Sequence, residues 1–153
     1  MAQLAADIRG VMIPLTDAKL LLPNATVSEV ITYGQPQAVD NAPPWLLGTI
    51  TWRGWRIPLI SFSLMAQQAA NENTSGAKVA ILKALGSDST MPYMALLAQG
   101  FPRLTTITEE NLLLDGDQDD LPEGVQHVVS VNDETAFVPN LDGIEETLIG
   151  LLQ

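Results

Sequence analysis

The 153-residue chain has no cysteine and a single histidine, and these absences exclude much chemistry. Without cysteine there is no disulfide, thiolate metal site or cysteine nucleophile. The histidine, His127, lies in an apolar run and has no second histidine to act with. Because catalytic and metal sites need several convergent groups, we interpret His127 as an ordinary strand residue.

Positive charge is also scarce, since seven Lys and Arg residues face eighteen Asp and Glu residues, giving a net charge of −11. Nucleic-acid binding requires clustered cations, and this composition repels a polyanion or an anionic membrane surface. No apolar run approaches the roughly 20 residues of a membrane helix, and the N-terminus lacks the pattern of a secretory signal. We therefore expect a cytoplasmic protein with no nucleic-acid partner and no membrane insertion.

Motifs of cofactor chemistry are missing as well. The chain has no Gly-x-Gly-x-x-Gly sequence and no phosphate-binding loop. The acidic stretch 115–120 resembles a calcium loop, but Asp120 and Gln126 stand where that loop requires glycine and a bidentate glutamate. We expect a solvated loop, no cofactor, no metal and no enzymatic activity.

Most apolar segments are short, rich in Val, Ile, Leu and Thr, and interrupted by turn residues, which is typical of antiparallel strands. Ten such strands are predicted, at residues 9–15, 19–23, 27–33, 47–52, 55–60, 77–84, 92–98, 103–107, 126–131 and 136–139. So many short strands favour a mainly β barrel or sandwich over a parallel sheet.

Two helices are predicted between and after these strands. Ser61 is a candidate N-cap for a short helix that extends to about Ala69. At the C-terminus, Asp142 and Glu145 have the spacing of a capping box. The leucine and isoleucine residues of this second helix share one face, as docking requires. They are Leu141, Ile144, Leu148, Leu151 and Leu152.

Two segments, 11–24 and 127–140, share the order strand, turn around Asp, strand, then Pro-Asn. Asp17, Pro23 and Asn24 align without gaps with Asp133, Pro139 and Asn140. Two similar lobes would explain this match, and so would chance.

Residues 42–65 are the most informative part of the chain. All three tryptophans, Trp45, Trp52 and Trp55, lie here beside Arg53 and Arg56. Tryptophan and arginine are enriched at the energetic centres of protein interfaces. The pair Arg53-Gly54 separates two strand-like runs, as a two-residue hairpin turn would, which predicts a rigid tip that recognises an acidic partner.

A plainer alternative stays open from the residues alone. Trp52 alternates with Ile50 and would then belong to the core, while Arg56 would pair with surface carboxylates.

The same block resembles the signature of the CheW-like domain family. In the stretch from Gly48 to Ile60, a strand begun by glycine runs into Arg-Gly and then into a strand that ends in proline and an aliphatic pair. Upstream, the sequence VSEVI at 27–31 is similar to the family's Val-x-Glu-Ile element, and APPW at 42–45 matches its Pro-rich approach. The similarity covers nearly the whole chain.

This resemblance implies a single domain over residues 1–153, built of two interlocked, five-stranded SH3-like β-barrels with short helices that include a C-terminal one. It also implies a non-enzymatic adaptor, recruited to receptor arrays, that joins the cytoplasmic tip of methyl-accepting chemoreceptors to the regulatory domain of a CheA-type histidine kinase.

Nine residues form the predicted site. By the resemblance, Val27, Glu29, Gly48 and Arg53 occupy coupling positions, and Gly54 and Pro58 shape the hairpin. The enrichment argument adds the partner-binding candidates Trp52, Trp55 and Arg56.

The chain also departs from the family pattern. Ser61 stands where an aspartate is usual, Ala98-Gln99 where Val-Asp is typical, Thr51-Trp52 replaces Asn-Leu, and Val138-Pro139-Asn140 replaces an ending in Leu-Asp. These changes fit a divergent or accessory member, such as one in a chemosensory system that controls pili rather than flagella. A second function, from another class, is a small-molecule-binding β-barrel whose tryptophans line a pocket.

Overall fold

The computed structural model describes residues 8–84, 91–116 and 118–152. Its strands, in chain order, are β1 (Ile8–Leu15), β2 (Ala18–Pro23), β3 (Val27–Thr32), β4 (Leu46–Trp52), β5 (Trp55–Ile60), β6 (Lys78–Lys83), β7 (Tyr93–Ala98), β8 (Arg103–Ile107), β9 (Leu112–Leu114), β10 (Val125–Val131) and β11 (Glu134–Pro139). The helices are α1 (Phe62–Met65) and α2 (Leu141–Leu152), with a 3₁₀ turn at Asn24–Thr26. All ten predicted strands are present, and β9 is additional.

The strands form two sheets, which we call the terminal lobe and the central lobe. The terminal lobe has the order β8-β1-β2-β11-β10-β9, and the central lobe has the order β3-β6-β7-β5-β4. The chain leaves the terminal lobe after β2 and returns to it at β8, so the two lobes are interlocked. The central lobe has the expected five strands, whereas the terminal lobe has six because the short β9 pairs with β10.

Among the described residues, three apolar cores hold this arrangement together, one within each lobe and one between them. Successive side chains of a strand point to opposite faces, so a strand between two cores is apolar on both. In β1, Ile13 and Leu15 belong to the core between the lobes, while Met12 belongs to the core of the terminal lobe. In β6, Leu82 and Ile81 divide in the same way between the interlobe and central cores. This double burial explains why the sequence shows apolar runs and little clean alternation.

Both helices differ in detail from their predictions. The Ser61 hydroxyl accepts a hydrogen bond from the Leu64 amide at 3.1 Å, as a cap should, but α1 ends at Met65 and does not reach Ala69. It stops early because Gln67 takes a φ of 58°, which no α-helix allows.

The capping box predicted at the start of α2 is wrong. The Asn140 side chain caps this helix instead, through Oδ1 accepting from the Gly143 amide at 3.1 Å. Glu145 is buried. Leu141, Ile144 and Leu148 dock as expected, whereas Leu151 and Leu152 are 37% and 38% exposed because the last turn extends past the core.

The two similar segments fold as two hairpins of the terminal lobe. Asp17 and Asp133 hold the same position in their turns, with φ values of 57° and 69°. Strands β2 and β11 lie side by side in parallel, with Leu20 opposite Phe137. The sequence match therefore corresponds to a structural one.

Candidate functional site: a braced hairpin on the central lobe

The β4–β5 hairpin has the predicted two-residue turn. Trp52 and Trp55 are the last paired residues, and Arg53 and Gly54 form the turn with φ values of 49° and 80°. Positive φ at both central residues is typical of a type I′ turn, whose twist matches that of the strands it joins. The side chain of Arg53 is thus carried on a rigid tip.

Glu29 of β3 braces this tip. Its Oε1 accepts a hydrogen bond from Arg53 Nη2 at 3.0 Å and from Trp52 Nε1 at 3.3 Å. The Arg53 guanidinium also lies 4.8 Å from the centre of the Trp52 ring. Arg53 and Glu29 have exposed fractions of 69% and 38%, so solvent screens their ion pair and limits its free energy to about 1 kcal/mol at most. Its main effect is to orient the guanidinium.

The three tryptophans do not form one patch. Trp45 is buried in the core between the lobes, and Trp52 is buried in the core of the central lobe. Trp52 meets Tyr93 edge to face at 4.8 Å, while Trp55 lies 6.4 Å from the same ring and is 42% exposed. The alternation that places Trp52 inward was the plainer interpretation of the sequence. Of the three, Trp55 is the one available to a partner.

Arg56 has a different environment from Arg53. Its Nε donates to Thr49 Oγ1 at 3.1 Å, and its Nη2 donates to Gln37 Oε1. Within the described part of the chain, the ion pairs involve Lys19, Arg53 and Arg103, and none involves Arg56. The carboxylate partner that the plainer interpretation gave to Arg56 is therefore not found there.

Gly48 and Gly54 act through the backbone. Gly48 is buried with a φ of 146°, and a Cβ there would lie 2.4 Å from the Gln37 carbonyl oxygen. That contact belongs to a bridge in which Gln37 and Thr49 exchange backbone hydrogen bonds at 2.8 Å. A Cβ on Gly54 would meet nothing within 4 Å, so its φ alone favours glycine.

The remaining two predicted site residues lie at strand positions. Pro58 is buried on β5 opposite Thr49. Val27 begins β3 and packs, half-buried, against the interlobe core.

A cluster around Glu72, which the sequence did not reveal, joins the lobes. Glu72 accepts hydrogen bonds from the hydroxyl of Thr16, at 2.6 Å, and from that of Ser61. The side-chain amide of Gln99 approaches the same carboxylate at 3.4 Å. Thr16 lies in the β1–β2 turn of the terminal lobe, whereas Ser61 and Gln99 follow strands of the central lobe. Ser61 and Gln99 are both positions at which the chain departs from the family pattern, so the two departures converge on one carboxylate.

The terminal lobe carries a charged cluster of its own. Glu134 pairs with Arg103 and, at 3.7 Å, with Lys19. The hydrogen bond from Arg103 lowers the pKa of Glu134 below its usual range. These residues lie far in sequence from the hairpin and were not predicted to form a site.

The acidic loop and the histidine are both ordinary surface features where the structure describes them. Asp115 accepts a hydrogen bond from the Thr135 hydroxyl at 3.0 Å. The side-chain amide of Gln118 donates to the Val128 carbonyl and accepts from the Val128 backbone amide, both at 3.1 Å. His127 is exposed on β10. Across residues 8–84, 91–116 and 118–152, no three His, Cys, Asp or Glu side chains are grouped to hold a metal ion. In the same ranges, no helix has the length and apolarity to span a bilayer.

Fold and site together define a two-lobed β protein whose distinctive surface feature is the braced tip of the β4–β5 hairpin. The profile of the CheW-like domain family matches residues 9–147, and the chain belongs to this family. The fold is similar to the crystal structure of the scaffolding protein TtCheW from Thermoanaerobacter tengcongensis, with a TM-score of 0.72 and 15% sequence identity over 92% of this chain and 89% of that one. That similarity includes the two SH3-like lobes. A search of curated proteins found no match.

Proposed function

We propose that the protein is a non-enzymatic adaptor that couples methyl-accepting chemoreceptors to a CheA-type histidine kinase, with the β4–β5 hairpin as part of its docking surface. The observation that carries the proposal is the braced tip, in which Glu29 and Trp52 orient Arg53 beside the exposed Trp55. Membership of the CheW-like family supports the class of partner. Residues 1–153 then act as one domain, in the cytoplasm and at membrane-associated receptor arrays.

The site residues have distinct roles in this proposal. Arg53 and Trp55 contact the partner, because both are exposed at the tip. Glu29 and Trp52 orient the tip through their contacts with Arg53. Trp52 itself is too buried to contact a partner directly. A tip that is already ordered loses little conformational entropy when it binds, which is how rigid aromatic and arginine side chains become interface hot spots.

The other predicted residues support this surface. Gly48, Gly54 and Pro58 set the path of the two strands, and Val27 anchors the start of β3, two residues before Glu29. Two residues of the Glu72 cluster, Ser61 and Gln99, are departures from the family pattern. This divergence favours an accessory member of the family, such as one that serves a chemosensory system controlling pili.

The alternative of a small-molecule-binding barrel required the tryptophans to line one pocket. Trp45, Trp52 and Trp55 instead occupy the interlobe core, the central core and the surface, respectively. This separation favours the adaptor.

The test is a pull-down from native cytoplasm and membranes with wild-type protein and three variants. Arg53→Glu reverses the tip charge, and Trp55→Ala removes the exposed ring. The control is Phe101→Ala, which removes an exposed ring from the β7–β8 loop, where Phe101 is 68% exposed. Circular dichroism first establishes that each variant is folded.

We expect the wild type and Phe101→Ala to retain a chemoreceptor and a histidine kinase, and the two tip variants to lose at least one of them. Equal recovery by all four proteins would overturn the role given to the hairpin. Recovery of neither partner by the wild type would overturn the adaptor itself.

A further inference from the structure

The central lobe has a second surface, on the opposite face of the β4–β5 hairpin from Trp52. Because side chains alternate along a strand, Arg56 and Pro58 share one face of β5, and Thr49 lies opposite Pro58 on the same face of β4. A groove of about 480 Å³ opens there, lined by Ala38, Val39, Thr49, Arg56, Pro58, Met91 and Leu152. It lies between the hairpin and the end of α2.

Apolar side chains form most of this groove. Pro58 and Met91 are buried, and Val39 packs against the core between the lobes. Leu152, at the end of α2, is 38% exposed and contributes a wall that solvent reaches. The groove can therefore take up an aliphatic side chain, but its open side would leave much of a small molecule in water, whereas small-molecule pockets bury most of their ligand.

Arg56 supplies the charge at this surface. A guanidinium has five N–H donors, and two of those of Arg56 are used by the neutral acceptors Thr49 and Gln37. These bonds fix its position without neutralising it, and no carboxylate pairs with it in the described residues. Arg53, in contrast, already pairs with Glu29. In a chain with a net charge of −11, a fixed cation that pairs with no carboxylate of the described residues is a place where an acidic group can approach favourably.

We propose that this groove binds an acidic segment of a protein partner, with an aliphatic side chain in the groove and a neighbouring carboxylate on Arg56. This proposal rests on the proposed function only for the identity of the protein that supplies the acidic segment. The positive charge of Arg56 favours a carboxylate in the partner, and the apolar lining of the groove favours an aliphatic side chain next to that carboxylate. Arg53 and Arg56 then act on opposite faces of one hairpin.

The first experiment uses synthetic peptides, so that it does not depend on the identity of the partner. The probe is acetyl-Glu-Leu-Leu-amide, and its control is acetyl-Gln-Leu-Leu-amide, which has the same shape and no charge. Binding is followed by NMR of the methionine methyl groups. Met91 lines the groove and reports on it, whereas Met12 is buried in the terminal lobe and serves as an internal reference.

We expect the acidic peptide to shift the Met91 signal, and not that of Met12, with an affinity of about 1 mM, as one anchor and one ion pair imply. The neutral peptide, or the Arg56→Gln protein, should bind about three- to tenfold more weakly, because a charge-assisted hydrogen bond is lost. Arg9→Gln removes the same charge from the terminal lobe and should change nothing. Equal affinity for the two peptides, or no Met91 shift up to about 10 mM, would overturn the proposal.

The second experiment measures affinity for the regulatory domain of the CheA-type kinase from the same organism by calorimetry. We expect Arg56→Gln and Leu152→Asn to weaken the complex, and raised salt to weaken the wild-type complex more than that of Arg56→Gln. If Trp55→Ala weakens the complex and the two groove variants do not, the groove proposal fails and the adaptor stands. If the acidic peptide binds but the kinase does not, the groove stands and the adaptor's partner is wrong.

Discussion

Replacing Glu72 by alanine should destabilise the protein by about 2–4 kcal/mol, which is large for a residue at the surface of a junction. Hydrogen bonds to a charged group contribute about 1.5–3 kcal/mol each, and a buried donor left without a partner costs about 1–3 kcal/mol. The Glu72 carboxylate accepts from the hydroxyls of Thr16 and Ser61, and the latter side chain is fully buried. We place the total near the lower end of the sum of these costs, because Glu72 is partly exposed and because Gln99 keeps its bond to the Asn73 carbonyl at 2.9 Å.

Urea unfolding followed by tryptophan fluorescence measures this loss, since Trp45 and Trp52 are buried. Glu109→Ala is the matched control because it removes an exposed carboxylate, and we expect it to change the free energy of unfolding by less than about 0.5 kcal/mol. The loss of unfolding free energy in Glu72→Gln should lie between those of Glu72→Ala and Glu109→Ala, because the glutamine side chain keeps one acceptor oxygen.

Hydrogen exchange locates the effect of Glu72→Ala. The backbone amide of Gln99, in the central lobe, donates to the carbonyl of Pro14, in the terminal lobe, at 2.8 Å. This backbone amide should exchange faster in the variant than in the wild type. The Thr49 amide, bonded to Gln37 within the central lobe, should be less affected. A loss of unfolding free energy no larger than that of Glu109→Ala would refute the view that this carboxylate ties the lobes together.

Two further predictions concern backbone geometry and pH. Gly48→Ala should destabilise the protein by more than about 2 kcal/mol in the same urea assay, because its Cβ would clash with the Gln37 carbonyl oxygen. Gly54→Ala should cost only about 1 kcal/mol, because its positive φ is the only obstacle to a side chain there. Equal costs for the two variants would contradict the argument from the close approach at Gly48. Glu134 has its pKa lowered by Arg103, so its stabilising contribution is present above the ordinary value of 4.5 and is lost as pH falls through the lowered pKa. Between about pH 5 and pH 3 the wild type should lose more stability than Glu134→Gln, and parallel pH profiles would contradict this.

Much of this fold could be predicted from sequence because short β-rich runs and turn residues carry local information. The strands, the Arg53-Gly54 turn and the Ser61 cap all follow from such signals. The strand β9 was missed because its three leucines, 112–114, show no alternation and precede an acidic loop. The cap of α2 was misplaced by two residues because Asp142 and Asn140 are both good N-cap residues, and the backbone decides between them.

The candidate site was predicted only in part, because its contacts link residues that are distant in sequence. The family resemblance indicated Glu29 and Arg53, but nothing in the sequence indicated that one carboxylate oxygen would accept from both Arg53 and Trp52. Glu72 lies in a polar stretch with no motif, so its contacts with Thr16 and Ser61 emerge only once the lobes are assembled. The substitution of Ser61 for an aspartate was visible, whereas the carboxylate that bonds to it was not.

The conformation of Arg53 is itself an argument that the tip is functional. Its φ of 49° is costly for a residue with a long side chain, and asparagine is the residue that type I′ turns prefer before glycine. The ion pair with Glu29 and the contact of the guanidinium with the Trp52 ring are together worth about 1–2 kcal/mol at most, which roughly offsets that cost without exceeding it. Stability therefore gives little reason to keep arginine here, and Arg53→Asn should leave the free energy of unfolding nearly unchanged while it weakens binding to the receptor or kinase. Backbone strain with no net gain in stability, at an exposed and braced position, is what a residue retained for contact with a partner would show.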